Sequence, residues 1–287
     1  MTNFPELAAN DRRLNLLGEN GEVRNINGTP AAINVSFTDL RSKADFSAPI
    51  DTQLVFGETV QCYETLGDWT RVQADRDGYV GWLESMTLVH DPLPATHIVC
   101  APRTFLYPEP DLKKPHKGMR SMGSALRIVS EAETRGTIYK VLETGEAVFA
   151  KHVRSLEEKE ADYVSVAESL LRAPYLWAGT TAFGLDCSGL VQLAKFMCGE
   201  TVLRDSDMQA ASIGEIIDPG EEFEGVERGD LAFWQGHVGI CQGMDSGGTQ
   251  MLLHANAHSM DVTSEPLKDA VERIAYLYGP PTGFRRP

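Results

Sequence analysis

The chain has 287 residues, 42% of them hydrophobic and 23% charged, a globular composition with enough apolar material for two or three domains. Its formal net charge of -15, from 26 Lys plus Arg against 41 Asp plus Glu, sets up a field that repels nucleic-acid phosphates and anionic lipid, so neither a nucleic-acid nor a membrane partner is expected. No stretch reaches the roughly 18 apolar residues of a spanning helix, and Met1–Asn20 lacks the basic and apolar regions of a secretory signal. The 5 cysteines are odd in number and form no C-x-x-C pair, which indicates neither a disulfide framework nor a thiolate zinc site. A cytoplasmic protein without a cofactor is the expectation.

Residues Met1 to Pro30 are polar and rich in Gly and Asn, and predict no element. From Ala31 to Leu88, short alternating runs broken by turn residues predict strands at Ile33–Phe37, Gln53–Gly57, Val60–Tyr63, Trp69–Gln73 and Gly78–Leu83, the pattern of a small barrel. Asp91-Pro92-Leu93-Pro94 marks a boundary. Ile98–Cys100, a Pro-rich loop, Ala125–Val129, Thr137–Val141 and Ala147–Ala150 then repeat the outline as a diverged copy.

After Leu156 the period becomes helical, with Tyr163, Val166, Ala167, Leu170 and Leu171 on one face and Pro174 as the stop. A helix over about Cys187–Cys198 follows, then strands at Asp230–Trp234, His237–Cys241, Met251–His254 and Arg273–Tyr276. Helices followed by strands predict an α+β domain. The organisation is therefore a segment at 1–30, β-rich domains at 31–92 and 93–156, and an α+β domain at 157–287.

Cys187 opens a helix whose apolar face is Leu190, Val191, Ala194 and Met197, with Asp186 as N-cap. Unpaired helix N–H groups and the positive end of the dipole favour a Cys187 thiolate and offer donors to an oxyanion. A leaving amine also needs a proton donor close by. If His237–Ile240 and Met251–His254 pair through the Asp245–Gly248 turn, His237 and His254 meet at one end of a sheet, where one imidazole holds the tautomer of the other. Taken singly, Cys187 reads as a buried helix cysteine, Tyr175 and Trp177 as core aromatics, Glu58 as a solvated turn residue, and Tyr79 with Trp82 as a barrel-core pair. A zinc site from His237, His254 and Cys241 is a further reading, but a thiolate nucleophile already accounts for both histidines.

Six blocks in order, Pro174–Gly179, Asp186–Val191, Leu203–Gln209, Arg228–Phe233, His237–Ile240 and Leu253–Asn256, make the stretch from about Glu157 to Pro287 resemble the NlpC family of papain-like cysteine peptidases, which hydrolyse bacterial cell-wall peptides. The resemblance implies Cys187 as nucleophile, His237 as base, His254 as the third, polar member, and the Tyr175 hydroxyl beside the oxyanion. Two features depart from the pattern: a longer hairpin between the histidines, and Gly199-Glu200-Thr201 in place of a small-polar linker. Asp77–Leu83 resembles the closing strands of bacterial SH3-like domains, so the expected fold is two small all-β SH3-like barrels followed by an α+β papain-like cysteine peptidase domain.

That arrangement resembles the γ-D-glutamyl-L-diamino-acid endopeptidases of murein peptide recycling. The likeness implies a murein peptide substrate with a free N-terminal L-Ala, whose ammonium Glu58, Tyr79 and Asp186 hold, with Ser206 as a substrate contact and Trp177, Ser188 and Asp205 in the same cleft. A buried ammonium site rejects a capped stem, because its carboxylates would be left unpaired. An amidase or acyltransferase on the same scaffold, and a non-catalytic wall-peptide binder, are the alternatives.

Overall fold

The computed structural model describes Arg13, Leu14 and residues 27–287; the rest of the predicted 1–30 segment lies outside the described residues. The chain divides into two compact units, Met1–Lys159 and Glu160–Pro287.

Strands dominate the first unit. Thr29–Ile33, Phe37–Arg41, Ile50–Val55, Thr59–Leu66, Trp69–Ala74, Val80–Glu84 and Leu88–His90 form one seven-stranded sheet. The expected strand at Ile33–Phe37 is instead a break: Asn34 to Ser36 turn the chain between two strands. Apolar residues continue through the turn, which is why alternation alone misplaced it. The stretch after His90 builds a five-stranded and a three-stranded sheet. Its Pro-rich loop follows Arg103–Tyr107, which pairs with Gly118–Ser121, a hairpin the sequence reading did not predict.

The two β-rich stretches share a seam inside this unit. Phe56 packs against the core of Val99, Leu106, Leu126, Leu142, Val148 and Val153, and its carbonyl accepts the Ala125 N–H at 2.8 Å. The Arg120 guanidinium stands 3.9 Å over the Phe56 ring. Gly57 has φ +77°, and a Cβ there would meet Ala125 O at 2.2 Å, so only glycine fits.

The second unit carries a six-stranded antiparallel sheet in the order Glu215–Ile217, Gly283–Arg286, Leu231–Trp234, His237–Met244, Gln250–Asn256, Asp261–Pro266. Helices span Tyr163–Glu168, Cys187–Met197, Ser206–Ser212 and Leu267–Tyr278. The strand expected at Arg273–Tyr276 lies in the last of these. Leu267, Ala270 and Ile274 recur at helical spacing and pack on Trp234, Cys241 and Leu252 of the sheet. The Cys241 side chain is thus committed to this core. Leu171, expected on the apolar face of the first helix, is exposed beyond that helix's end.

Candidate active site

The second unit builds its site from the N-terminus of the Cys187 helix and one end of the sheet. Asp186 caps the helix, its Oδ1 accepting the Gly189 N–H at 2.7 Å. The preceding turn holds this end in place. The Asp186 N–H donates to Gly179 O at 3.0 Å, and a Cβ on Gly189 would stand 2.3 Å from the same oxygen. Tyr175 bridges Leu185, two residues before the cysteine. Tyr175 is half-buried and Trp177 is 72% exposed, so neither is a core aromatic.

Arg204 lies beneath the helix start. It donates to Asp186 Oδ1 at 3.0 Å, Asp186 Oδ2 at 2.6 Å and Ser188 Oγ at 2.9 Å. Ser188 Oγ is also 3.3 Å from Asp186 Oδ1. The Asp186 carboxylate is therefore engaged by a cap, a guanidinium and a hydroxyl together. Sequence reasoning missed Arg204, although its block, Leu203–Gln209, was singled out. Asp205 and Ser206, at the start of the Ser206–Ser212 helix, are half-buried.

The two histidines meet. His237 opens one strand and His254 lies within the facing one, the two joined through the Asp245 turn, and His237 Nε2 lies 2.8 Å from His254 Nδ1. The register of Ile240 against Leu253 makes His254 a diagonal neighbour of His237 on one sheet face, within reach of two imidazoles. His254 is fully buried. Cys187 Sγ stands 4.0 Å from Gly236 O, and the backbone N–H groups of Val238 and Ser188 point to it, so the neighbours of His237 bracket the thiol.

Burial dominates the electrostatics. It pushes the Cys187 thiol up to about 12, reinforced by the Asp186 charge and opposed by the Val238 N–H and Arg204. It holds His237 down to about 3, with the field of Arg273 adding to the effect. The expected resting thiolate is thus not what burial favours. Dehydration works against the thiolate, while the Val238 and Ser188 N–H groups and Arg204 work for it. Burial, then the Cys187 and Asp186 charges, raise Tyr175 to about 12, so its hydroxyl stays protonated and able to donate.

Glu58 and Tyr79 belong to the first unit. Glu58 is buried and not a solvated turn residue: its Oε2 accepts from Val55 N at 3.1 Å and Arg76 Nη2 at 3.0 Å. Burial raises its carboxyl despite Arg76. Tyr79 is buried in the sheet's core. Two further residues escaped the sequence reading: Glu265, 2.7 Å from His254 Nε2, and Arg273, which donates to the same carboxylate.

Comparison with known proteins places this geometry. Residues 40–88 match the bacterial dipeptidyl-peptidase SH3 domain, and residues 172–276 match the NlpC/P60 family. The chain is 28% identical over 209 residues to a γ-D-glutamyl-L-lysine dipeptidyl-peptidase of Bacillus cereus, covering 64% of this chain and 60% of that relative. It is 24% identical to dipeptidyl-peptidase 6 of Lysinibacillus sphaericus, over 83% of this chain and 92% of that one. A crystal structure of an NlpC/P60 family protein from Bacillus cereus shares the fold, with a TM-score of 0.73 at 22% identity, over 90% of this chain and 99% of the other. Cys187, His237 and His254 all fall within the 172–276 match, and the chain carries an NlpC/P60 domain with a bacterial SH3 domain ahead of it.

Proposed function

We propose that the protein is a cysteine endopeptidase that hydrolyses the γ-D-glutamyl-L-diamino acid bond of murein peptides with a free N-terminal L-Ala, in cytoplasmic recycling of wall peptides. The observation that carries this reading is the file of Cys187, His237 and His254, in which a buried thiol is bracketed by the strand that holds one imidazole, and that imidazole is hydrogen-bonded to the other. The name of the Bacillus cereus relative supports the bond class. We read the first unit as two SH3-like barrels, 31–92 and 93–156, and residues 157–287 as a papain-like domain.

His237 takes the thiol proton as Cys187 Sγ attacks the γ-glutamyl carbonyl, since burial disfavours a free-standing ion pair. The oxyanion forms against helix N–H groups and the Tyr175 hydroxyl. His237 then protonates the departing amine, and water, deprotonated by the same imidazole, releases the acyl group from sulfur. Within the second unit, Asp186 receives the substrate ammonium, with Trp177, Ser188, Asp205 and Ser206 as further contacts. Asp186 does so only with the lone pairs that Arg204, Ser188 and Gly189 leave.

Mass spectrometry of L-Ala-γ-D-Glu-meso-diaminopimelate and its N-acetylated form, each incubated with wild type and Cys187→Ala, tests the reading. We expect L-Ala-D-Glu from the free peptide and wild type only. Cleavage of both peptides refutes the ammonium requirement, residual hydrolysis by Cys187→Ala refutes the nucleophile, and cleavage of neither peptide refutes the substrate.

A further inference from the structure

The polar file that starts at His237 does not stop at His254. His254 Nε2 is 2.7 Å from Glu265 Oε1, and the Arg273 guanidinium donates to that same oxygen. Each link is a two-residue step across the sheet. His254 pairs with Thr263 and Leu252 with Glu265, so Glu265 is diagonal to His254 on the face that both share. Leu252, on that face, packs with Leu267, Ala270 and Ile274 of the covering helix, and Arg273 comes from the same helix.

The far end of this file sets the direction of every hydrogen bond in it. A carboxylate held by a guanidinium only accepts, so Nε2 of His254 carries the proton. A neutral imidazole has one N–H, which leaves Nδ1 of His254 a bare acceptor. Nε2 of His237, 2.8 Å from it, therefore donates, and the lone pair of His237 falls on Nδ1, the nitrogen left for Cys187. The reverse order, with the proton on Nδ1 of His254, inverts both bonds and puts an N–H where the base needs a lone pair.

We propose that Glu265, held by Arg273, is a positioning residue that fixes the tautomer of His254 and, through it, of His237. The inference rests on the reading of Cys187 and His237 as nucleophile and base. Burial works to raise the Glu265 carboxyl, but the hydrogen bonds from His254 and Arg273 and the Arg273 charge outweigh it and hold it below its ordinary value, so the acceptor survives mild acid. The titratable and charged groups facing this pair are His254 on the neighbouring strand, His237 beyond it, and Arg273 on the covering helix.

The test is 15N-histidine NMR of the full chain at neutral pH, assigned with His237→Gln and His254→Gln, beside the pH profile of Cys187 alkylation by iodoacetamide. Both imidazoles are expected to be protonated on Nε2. Glu265→Gln should populate the Nδ1–H form of His254 and slow alkylation by about 10- to 100-fold, the usual effect of losing an outer-shell partner. Arg273→Gln should move the acid limb of alkylation upward, because an unguarded Glu265 takes a proton at higher pH. A wild-type His254 protonated on Nδ1, a Glu265→Gln protein with wild-type tautomers and rate, or an unmoved acid limb in Arg273→Gln would overturn it. Should Glu265→Gln not fold, the wild-type spectra and the Arg273→Gln profile decide. The tautomers are read without turnover: expected spectra in a protein that leaves murein peptides intact refute the substrate assignment and not this one.

Discussion

Arg204 is fully buried and gives both terminal nitrogens to Asp186, the residue before the thiol. Removing one partner of such a pair leaves a dehydrated charge, so Arg204→Leu should lower the urea-unfolding free energy by about 3–5 kcal/mol. It should also slow Cys187 alkylation at neutral pH, because Arg204 opposes the Asp186 charge that raises the thiol. Wild-type stability in Arg204→Leu would show the pair to be dispensable; recovery in Arg204→Leu/Asp186→Asn would locate the cost in the unpaired carboxylate. Asp186 was legible as a cap from its place before an apolar helical run, since capping is a local matter. Its ion pair was not, because Arg204 reaches it from a separate block through the fold. Glu265 was hidden for a similar reason: the strand that carries it was not predicted, and without a register nothing marks one glutamate among many.

Helix and sheet geometry decide the fate of Gly189. By helix propensity alone, Gly189→Ala should gain about 1 kcal/mol. The added Cβ would stand 2.3 Å from Gly179 O, a backbone atom, so overpacking wins and a loss of roughly 1–3 kcal/mol is expected by urea unfolding, with slower Cys187 alkylation. A gain in stability would mean that the 175–179 turn yields easily. At this scale the sequence was uneven. The Cys187 helix and the His237–His254 hairpin were readable because each has a regular apolar period and a clear turn. The Leu267–Tyr278 helix was read partly as a strand, since Ile274-Ala275-Tyr276 mimics an apolar run once its earlier turns, Leu267 and Ala270, are left out.

Across the whole molecule, acid acts through His237. Its folded value, about 3, lies below the ordinary 6.5, so between these limits the unfolded chain binds a proton that the folded one refuses. Stability from this group is complete above pH 6.5 and is lost as pH falls toward 3. Glu58 runs the other way: its raised carboxyl lets the folded state take a proton first, which favours folding as pH falls. Urea-unfolding free energies at several pH values from 7 down to 4 should therefore fall more steeply in wild type than in His237→Gln, and parallel curves would count against a buried, neutral His237. The seam at Gly57 has a consequence of another kind. Because Phe56 is packed into the core of the second stretch and Gly57 admits no side chain against Ala125, the largely exposed Asp91–Ala95 connection is not what joins those stretches. A protease nick there should leave them associated, and recombination between relatives should tolerate poorly a crossover near Pro92, where the two halves of one surface would be inherited from different parents.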